Sequence, residues 1–204
     1  MIAWIEGVLR EREPTQVIVD VNGVGYELLT SLRTFEQLPE PGKTVSLHVR
    51  TIVREDAITL FGFASGLERR TFDLLLKASR VGPKLAQAIL SGLEPNLLLR
   101  ALRDSEVSVL KRAPGVGPKL AERMVVELRD RAGDELKVSG PAGVEGRIEP
   151  EPIEDVATQL LSALLNLGYP RSQAEKVADK AVREAGAEAG LEAVIRVALK
   201  HLAP

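Results

Sequence analysis

Val81-Gly82-Pro83-Lys84-Leu85-Ala86 returns as Val116-Gly117-Pro118-Lys119-Leu120-Ala121, an offset of 35 residues. Ala78 and Ala113 keep the same spacing, and each copy opens an apolar helical run, with Leu85, Ala88 and Ile89 in the first and Leu120, Met124 and Val125 in the second. Each copy predicts helix, short glycine turn, helix. Pro83 and Pro118 stand where a new helix begins, at a position whose N–H has no intrahelical partner in any case. The turn before each proline presents free N–H groups at a positive helix end, and Lys84 and Lys119 follow at once. That arrangement holds a phosphate without touching a base. One copy alone reads as readily as an αα-hairpin whose glycines only let the chain turn. Two copies with lysine at the same offset point to two clamps related by a pseudo-dyad, matching two DNA backbones that flank a groove.

Charge is distributed to suit that reading. The formal net charge is −2, but residues 1–62 carry −3, residues 63–137 carry +4 and residues 138–204 carry −3. The positive block holds the repeat, as phosphate binding requires. Aromatics are only 3% of the chain, which argues against a stacking platform for single strands and leaves duplex backbone as the target.

Several function classes fall away on composition. The chain has 204 residues, long for one compact domain and comfortable for two or three small ones. With no cysteine there is no disulfide, zinc finger or cysteine nucleophile. His48 and His201 stand in different segments and make no metal cluster alone, so no metal or cofactor is expected; His48, in a strand-like run, reads as a sheet residue. No apolar run approaches a membrane span. Met1-Ile2-Ala3-Trp4 leads straight into alternating pattern without a basic n-region, so a protein with no secretory signal, in the cytoplasm, is expected.

The fold class expected is multidomain α+β. Residues 1–63 alternate like strands: Ile2 to Leu9, Gln16 to Val21, Gly25 to Leu29, Val45 to Val53 and Ala57 to Phe63. Asn22-Gly23 between two such runs is a strong hairpin signal. Five short strands suggest a small closed barrel of the OB type, and Arg54-Glu55-Asp56 forms a charged tip between the last two. Residues 64–137 read as helices: Leu67 to Ala78, Pro83 to Leu90, Asn96 to Leu102, Val107 to Lys111 with Ser105 as N-cap, and Pro118 to Arg131. Residues 138–152 mix glycine, proline and charge and read as a flexible linker. Residues 153–204 form a three-helix unit: a helix marked by Val156, Leu160, Leu161, Leu164 and Leu165 and ended at Leu167-Gly168-Tyr169-Pro170, a second from Ser172 to Arg183, and a third from Leu191 to Leu202. A small module on a tether commonly binds another protein.

Taken together, these motifs resemble the RuvA family, the Holliday-junction-binding subunits of bacterial branch-migration complexes. The likeness runs through Val21-Asn22-Gly23-Val24-Gly25-Tyr26-Glu27, Val53-Arg54-Glu55-Asp56-Ala57, Leu60-Phe61-Gly62-Phe63, both hairpins, Leu110 to Gly117 followed by Ala121-Glu122-Arg123, and Leu164 to Tyr169. The resemblance implies a homotetramer, one or two per junction, that holds a four-way DNA junction open and square during recombination and repair. It implies the hexameric ATPase RuvB and the resolvase RuvC as protein partners. Lacking a Gly-x-x-x-x-Gly-Lys-Ser/Thr loop, the chain is expected not to be an enzyme and to borrow its motor. Candidate DNA contacts are Arg54, Arg80, Gly82, Lys84, Gly115, Gly117, Lys119 and Arg123. By family analogy Glu55 and Asp56 make an acidic pin at the junction centre, and Leu167, Tyr169 and Leu199 are candidates for the motor contact, although leucines at helical spacing serve a core as readily. One position departs from the family pattern: Arg80 stands where the first hairpin normally has glycine.

Two other readings compete. A helix-hairpin-helix glycosylase or lyase would use Asp130 or Asp134 after the second hairpin, but a flipped-base pocket wants aromatic walls and this segment offers only Phe72. A purely architectural duplex binder is the other.

Overall fold

The computed structural model describes residues 1–138, 156–185 and 190–202. The chain divides into two compact units, Met1–Glu145 and Gly146–Pro204.

In the first unit, strands β1 (Trp4–Glu13), β2 (Gln16–Val21), β3 (Val24–Thr30), β4 (Thr44–Val53) and β5 (Ile58–Phe63) close a barrel in the order β1-β2-β3-β5-β4. Asn22 and Gly23 both take positive φ, 51° and 88°, the backbone of a two-residue hairpin turn. The first strand serves two neighbours, pairing with β4 through Trp4–Val8 and with β2 through Val8–Glu13. Gly7 permits this: a Cβ there would lie 2.2 Å from the Asp20 carbonyl oxygen. A short parallel pairing, Leu29 with Phe61 and Thr30 with Gly62, closes the ring. Ile5, Leu9, Val17, Val19, Leu28, Val45, Leu47, Val49 and Leu60 fill its interior.

Between β3 and β4 the chain forms a short helix, α1 (Leu32–Gln37), in a stretch where no helix is expected from the sequence. Its N-cap is Ser31, whose hydroxyl accepts from the Thr34 N–H at 3.0 Å. No long apolar stripe marks it, because one turn and a half of helix needs only a cap and a floor.

Helices α2 (Gly66–Leu75), α3 (Pro83–Gly92), α4 (Pro95–Arg103), α5 (Val107–Leu110) and α6 (Pro118–Val138) complete the unit. The first of these ends before the Ala78 expected; Leu76 to Ala78 continue as tight turns, with Lys77 and Ala78 N–H groups donating to Leu74 and Leu75 carbonyls. The last runs past Arg131 to Val138, the first residue of the expected linker; the rest of that linker lies outside the described residues. Ser105 is not the N-cap of α5. It closes α4 instead, at φ 62°, while the Glu106 N–H reaches back to the Ala101 carbonyl at 2.8 Å. That is a Schellman closure with serine in the left-handed position, and Glu106 precedes α5 without a side-chain cap.

Two buried links join barrel to helices, beside the Arg50–Asp73 ion pair at 3.0 Å and the Gln87 Nε2 bond to the Thr30 carbonyl. Phe61 and Phe63 of β5 each stack on Phe72 of α2 with ring centroids 5.0 Å apart. Leu60 belongs instead to the barrel interior, and a Cβ on Gly62 would meet Leu28 and Leu47, so both faces of β5 are covered, which explains its unbroken apolar Leu-Phe-Gly-Phe end. The second link is polar. Glu68 is buried, and its two carboxylate oxygens accept from Ser31 Oγ at 2.5 Å and Thr34 Oγ1 at 2.6 Å. Burial pushes the Glu68 carboxyl above its ordinary range, and the two hydroxyls pull it partly back. Glu68→Ala should cost about 2–4 kcal/mol, because it leaves a hole and two buried hydroxyls without an acceptor. The sign of the pH effect follows from the raised pKa. What Glu68 contributes is fully present below its unfolded value and declines as pH rises through the folded one. Denaturation at several pH values should thus show stability of the native chain falling, relative to Glu68→Gln, as pH climbs from about 4.5 upward. A constant difference across that range would count against it.

In the second unit, α7 (Val156–Asn166), α8 (Arg171–Ala185) and α9 (Leu191–Leu202) pack around Leu160, Leu164, Ala174, Ala178, Ala181, Val194 and Ala198. Gly168, at φ 92°, ends the first of them, with the Tyr169 N–H donating to the Leu164 carbonyl at 3.1 Å. No described helix is long and apolar enough to cross a membrane.

Candidate nucleic-acid interface

The 35-residue repeat of the sequence is also a repeat of packing. Ala78, Val81, Ala86, Ile89, Leu90 and Leu93 are buried, and so are their counterparts Ala113, Val116, Ala121, Met124, Val125 and Leu128. One helix pair, α2 and α3, frames the first turn; a second, α5 and α6, frames the other. In each turn the valine N–H donates to the alanine three residues back, Val81 to Ala78 at 3.1 Å and Val116 to Ala113 at 3.2 Å. In each, the glycine carbonyl then accepts the first bond of the following helix, from Ala86 at 2.9 Å and from Ala121 at 2.9 Å. The apolar residues of the motif thus point inward, while Arg80, Gly82, Lys84, Gly115, Gly117 and Lys119 are left exposed.

Gly82 is the N-cap of α3, with no side chain capping it and Pro83 at the first helical position. An open helix end with a lysine one residue inside it is an arrangement that can hold an anion. Lys119 holds the matching place on α6, and Arg123, exposed one turn further, extends that clamp along the helix. Arg80 takes φ 69° and its counterpart Gly115 takes φ 79°. The left-handed backbone that the family glycine suits is therefore retained here by arginine, at a cost of about 1 kcal/mol. Gly115 could not be so replaced without disturbance, since a Cβ there would lie 2.7 Å from Leu85 Cδ1.

Lys77 and Arg112, one repeat apart and both exposed, stand just before the two turns. The doubled hexapeptide does not reach them; the same 35-residue repeat, extended back one residue from Ala78 and Ala113, does.

The charged tip lies elsewhere in the first unit. The Arg54 N–H donates to the Ala57 carbonyl at 2.8 Å, one pair beyond Val53 and Ile58, so Glu55 and Asp56 alone form the tip of the β4–β5 hairpin. Arg54, Glu55 and Asp56 are exposed. In the second unit Leu167 is 60% and Leu199 38% exposed, whereas Tyr169 is partly buried against the three-helix core.

Similarity to known proteins bears on this geometry. Family models match the RuvA N-terminal domain over residues 1–62, a SAM-like helix-hairpin-helix tandem over 72–130 and the RuvA C-terminal domain over 155–203. The chain belongs to the RuvA family. Proteins named Holliday junction branch migration complex subunit RuvA are similar along nearly the whole length. That of Idiomarina loihiensis is 43% identical over 208 residues, covering 100% of both chains. Those of Acidobacterium capsulatum and Pelobacter propionicus are 47% and 46% identical, covering 89% and 87% of both chains respectively. The barrel, the hairpin tandem and the helical C-terminal unit are the architecture of the RuvA family, in family order.

The features that an enzyme of the helix-hairpin-helix class would need are arranged otherwise. Phe72 is fully buried between the barrel and the helices, so it walls no pocket for a flipped base. Asp134 is mostly exposed and paired with Lys137 at 3.0 Å, one turn along the same helix. It shares an open groove with Asp130, Arg103, Asp104, Arg129 and Lys137. Among the described residues no group of three or more His, Asp or Glu is placed to hold a metal. His48 packs edge-on against Trp4 in the sheet, and its pKa is lowered first by burial and then by Arg69 and Arg70.

Proposed function

We propose that this protein binds four-way DNA junctions through their backbones, independently of base sequence, and serves as the non-catalytic DNA-binding subunit of a branch-migration complex. The observation that carries the reading is the pair of pseudo-equivalent clamps, Gly82 with Lys84 and Gly117 with Lys119, open to solvent in a chain whose RuvA relatives bear the junction in their name. Arg80 and Arg123 add charge beside the clamps, and Arg54 adds it beside the pin. Glu55 and Asp56 repel phosphates where strands part. Four copies around a four-fold axis would match four arms, and the second unit, through Leu167, Leu199 and the edge of Tyr169, would take up a RuvB-type ATPase. A RuvC-type resolvase would act on the same open junction. Work in the cytoplasm follows from that role.

Lys119→Ala and Arg123→Ala test the central claim. Each should weaken junction and duplex binding together and lower the slope of log affinity against log salt by about one, since each removes one phosphate contact. Anisotropy titrations on an immobile junction and on linear duplex of equal length give both quantities. An unchanged slope would place these side chains off the DNA. Equal affinity for the two substrates would favour a plain duplex binder, and release of any damaged base would favour a glycosylase.

A further inference from the structure

The contact that ties the two hairpins together also repeats, with different chemistry in its two copies. The 35-residue offset carries Ser79 onto Pro114 and Gly92 onto Glu127. In the first turn the Ser79 backbone N–H donates to Glu127 Oε2 at 2.6 Å, across 48 residues of chain. In the second turn Pro114 lies against Gly92 so closely that a Cβ on Gly92 would meet Pro114 Cδ at 2.6 Å. Each turn thus rests on the helix that follows the other turn: the first on α6, the second on α3. The second turn is preset by its own residues, because proline holds φ near the value it needs and brings no N–H to satisfy, and Gly115 takes the left-handed φ without strain. The first turn has neither advantage. Ser79 brings an N–H that needs an acceptor, and Arg80 sits at φ 69°.

We propose that Glu127 is the positioning residue of the first clamp. Its carboxylate, by a charge-assisted hydrogen bond, holds the Ser79–Arg80 backbone in the shape that turns the Gly82 end of α3, and Lys84 on it, toward a phosphate. This rests on the DNA-binding reading above. It also makes a prediction opposite in sign to simple electrostatics. A carboxylate near a phosphate site repels the ligand, so deleting it should tighten binding if charge alone mattered; deleting a positioning group should loosen it.

The test uses the full-length protein, a labelled immobile four-way junction and a salt titration. Glu127→Ala should weaken binding about three- to tenfold and reduce the salt slope by about one contact. Glu127→Gln keeps an oxygen acceptor for the Ser79 N–H and loses the charge, so it should bind at least as tightly as the native chain. Combined with Lys84→Ala, Glu127→Ala should add nothing further; combined with Lys119→Ala, it should add its full effect. Melting curves recorded alongside separate a role in stability, which lowers the melting temperature and leaves affinity unchanged well below it. Glu127→Ala binding as tightly as the native chain, or Ala and Gln behaving alike, while both lysine variants weaken binding, would overturn the inference. Lysine variants that bind normally would overturn the DNA-binding reading, and this inference with it.

Discussion

A protein ending at Ser139 should bind four-way junctions nearly as the full chain does and support no ATP-driven branch migration. The first unit carries both hairpins and both of its own buried cores, one inside the barrel and one from Phe61 to Ala132 among the helices, so it has what it needs to fold without residues 140–204. The segment removed contains none of the glycine–lysine turns and carries net negative charge, so its loss takes away no phosphate contact. What it does take away is the three-helix unit with the exposed Leu167 and Leu199. A motor held only by that unit would lose its effective concentration at the junction, and a tethered partner released in this way is lost entirely rather than partly. Gel shifts and native mass measurement on the truncated chain, with a strand-displacement assay containing the ATPase, read its junction binding, its assembly state, which should remain tetrameric, and its migration. Loss of junction binding would refute this division of labour, and so would normal migration.

Neutralising the pin should do the reverse, changing selectivity and leaving the clamps alone. Glu55→Gln with Asp56→Asn removes two exposed charges per chain, about eight around a four-fold assembly. Both side chains stand at the tip of a two-residue hairpin turn beyond the last ladder pair, so the substitution touches no buried contact and should leave stability within about 0.5 kcal/mol. Affinity for plain duplex should rise by about tenfold at low salt, with the gain shrinking as salt screens it. If the tip stands at the centre of an open junction, as proposed above, the parted strands keep their phosphates off it, so the junction should gain less and its preference over duplex should erode. A ratio equal to that of the native chain would reduce the tip to a solvated turn.

The parts of this protein legible in sequence are those whose signals are local. Asn22-Gly23 between alternating runs needs only two left-handed residues to be a hairpin, and the barrel strands followed from such punctuation. The doubled Val-Gly-Pro-Lys-Leu-Ala was enough to locate both turns, because a glycine, a proline at the first helical position and a buried valine act within six residues. Local signals also misled where two of them competed. Ser105 carries the composition of an N-cap, yet the carbonyls at the end of α4 needed closing, and the Glu106 N–H satisfied Ala101 first. Helix α1 has no local signal, because its stability comes from Ser31 and Thr34 meeting a carboxylate 34 and more residues away.

Tertiary structure alone decided the pairings between distant residues. Glu68 follows Ser65 as a capping box would have it, and Ser65 does accept from the Glu68 N–H at 3.1 Å, but the carboxylate turns away to Ser31 and Thr34. Nothing in the string pairs Ser79 with Glu127 across 48 residues, or shows that Arg80 would keep the backbone of the glycine it replaces. Periodicity and turn chemistry act over a helical turn or a hairpin, so the sequence by itself settled the elements that carry such local signals, and the charge of each segment. A buried carboxylate or a turn N–H takes whichever partner the packed chain brings within 3 Å, and only the fold brings it there.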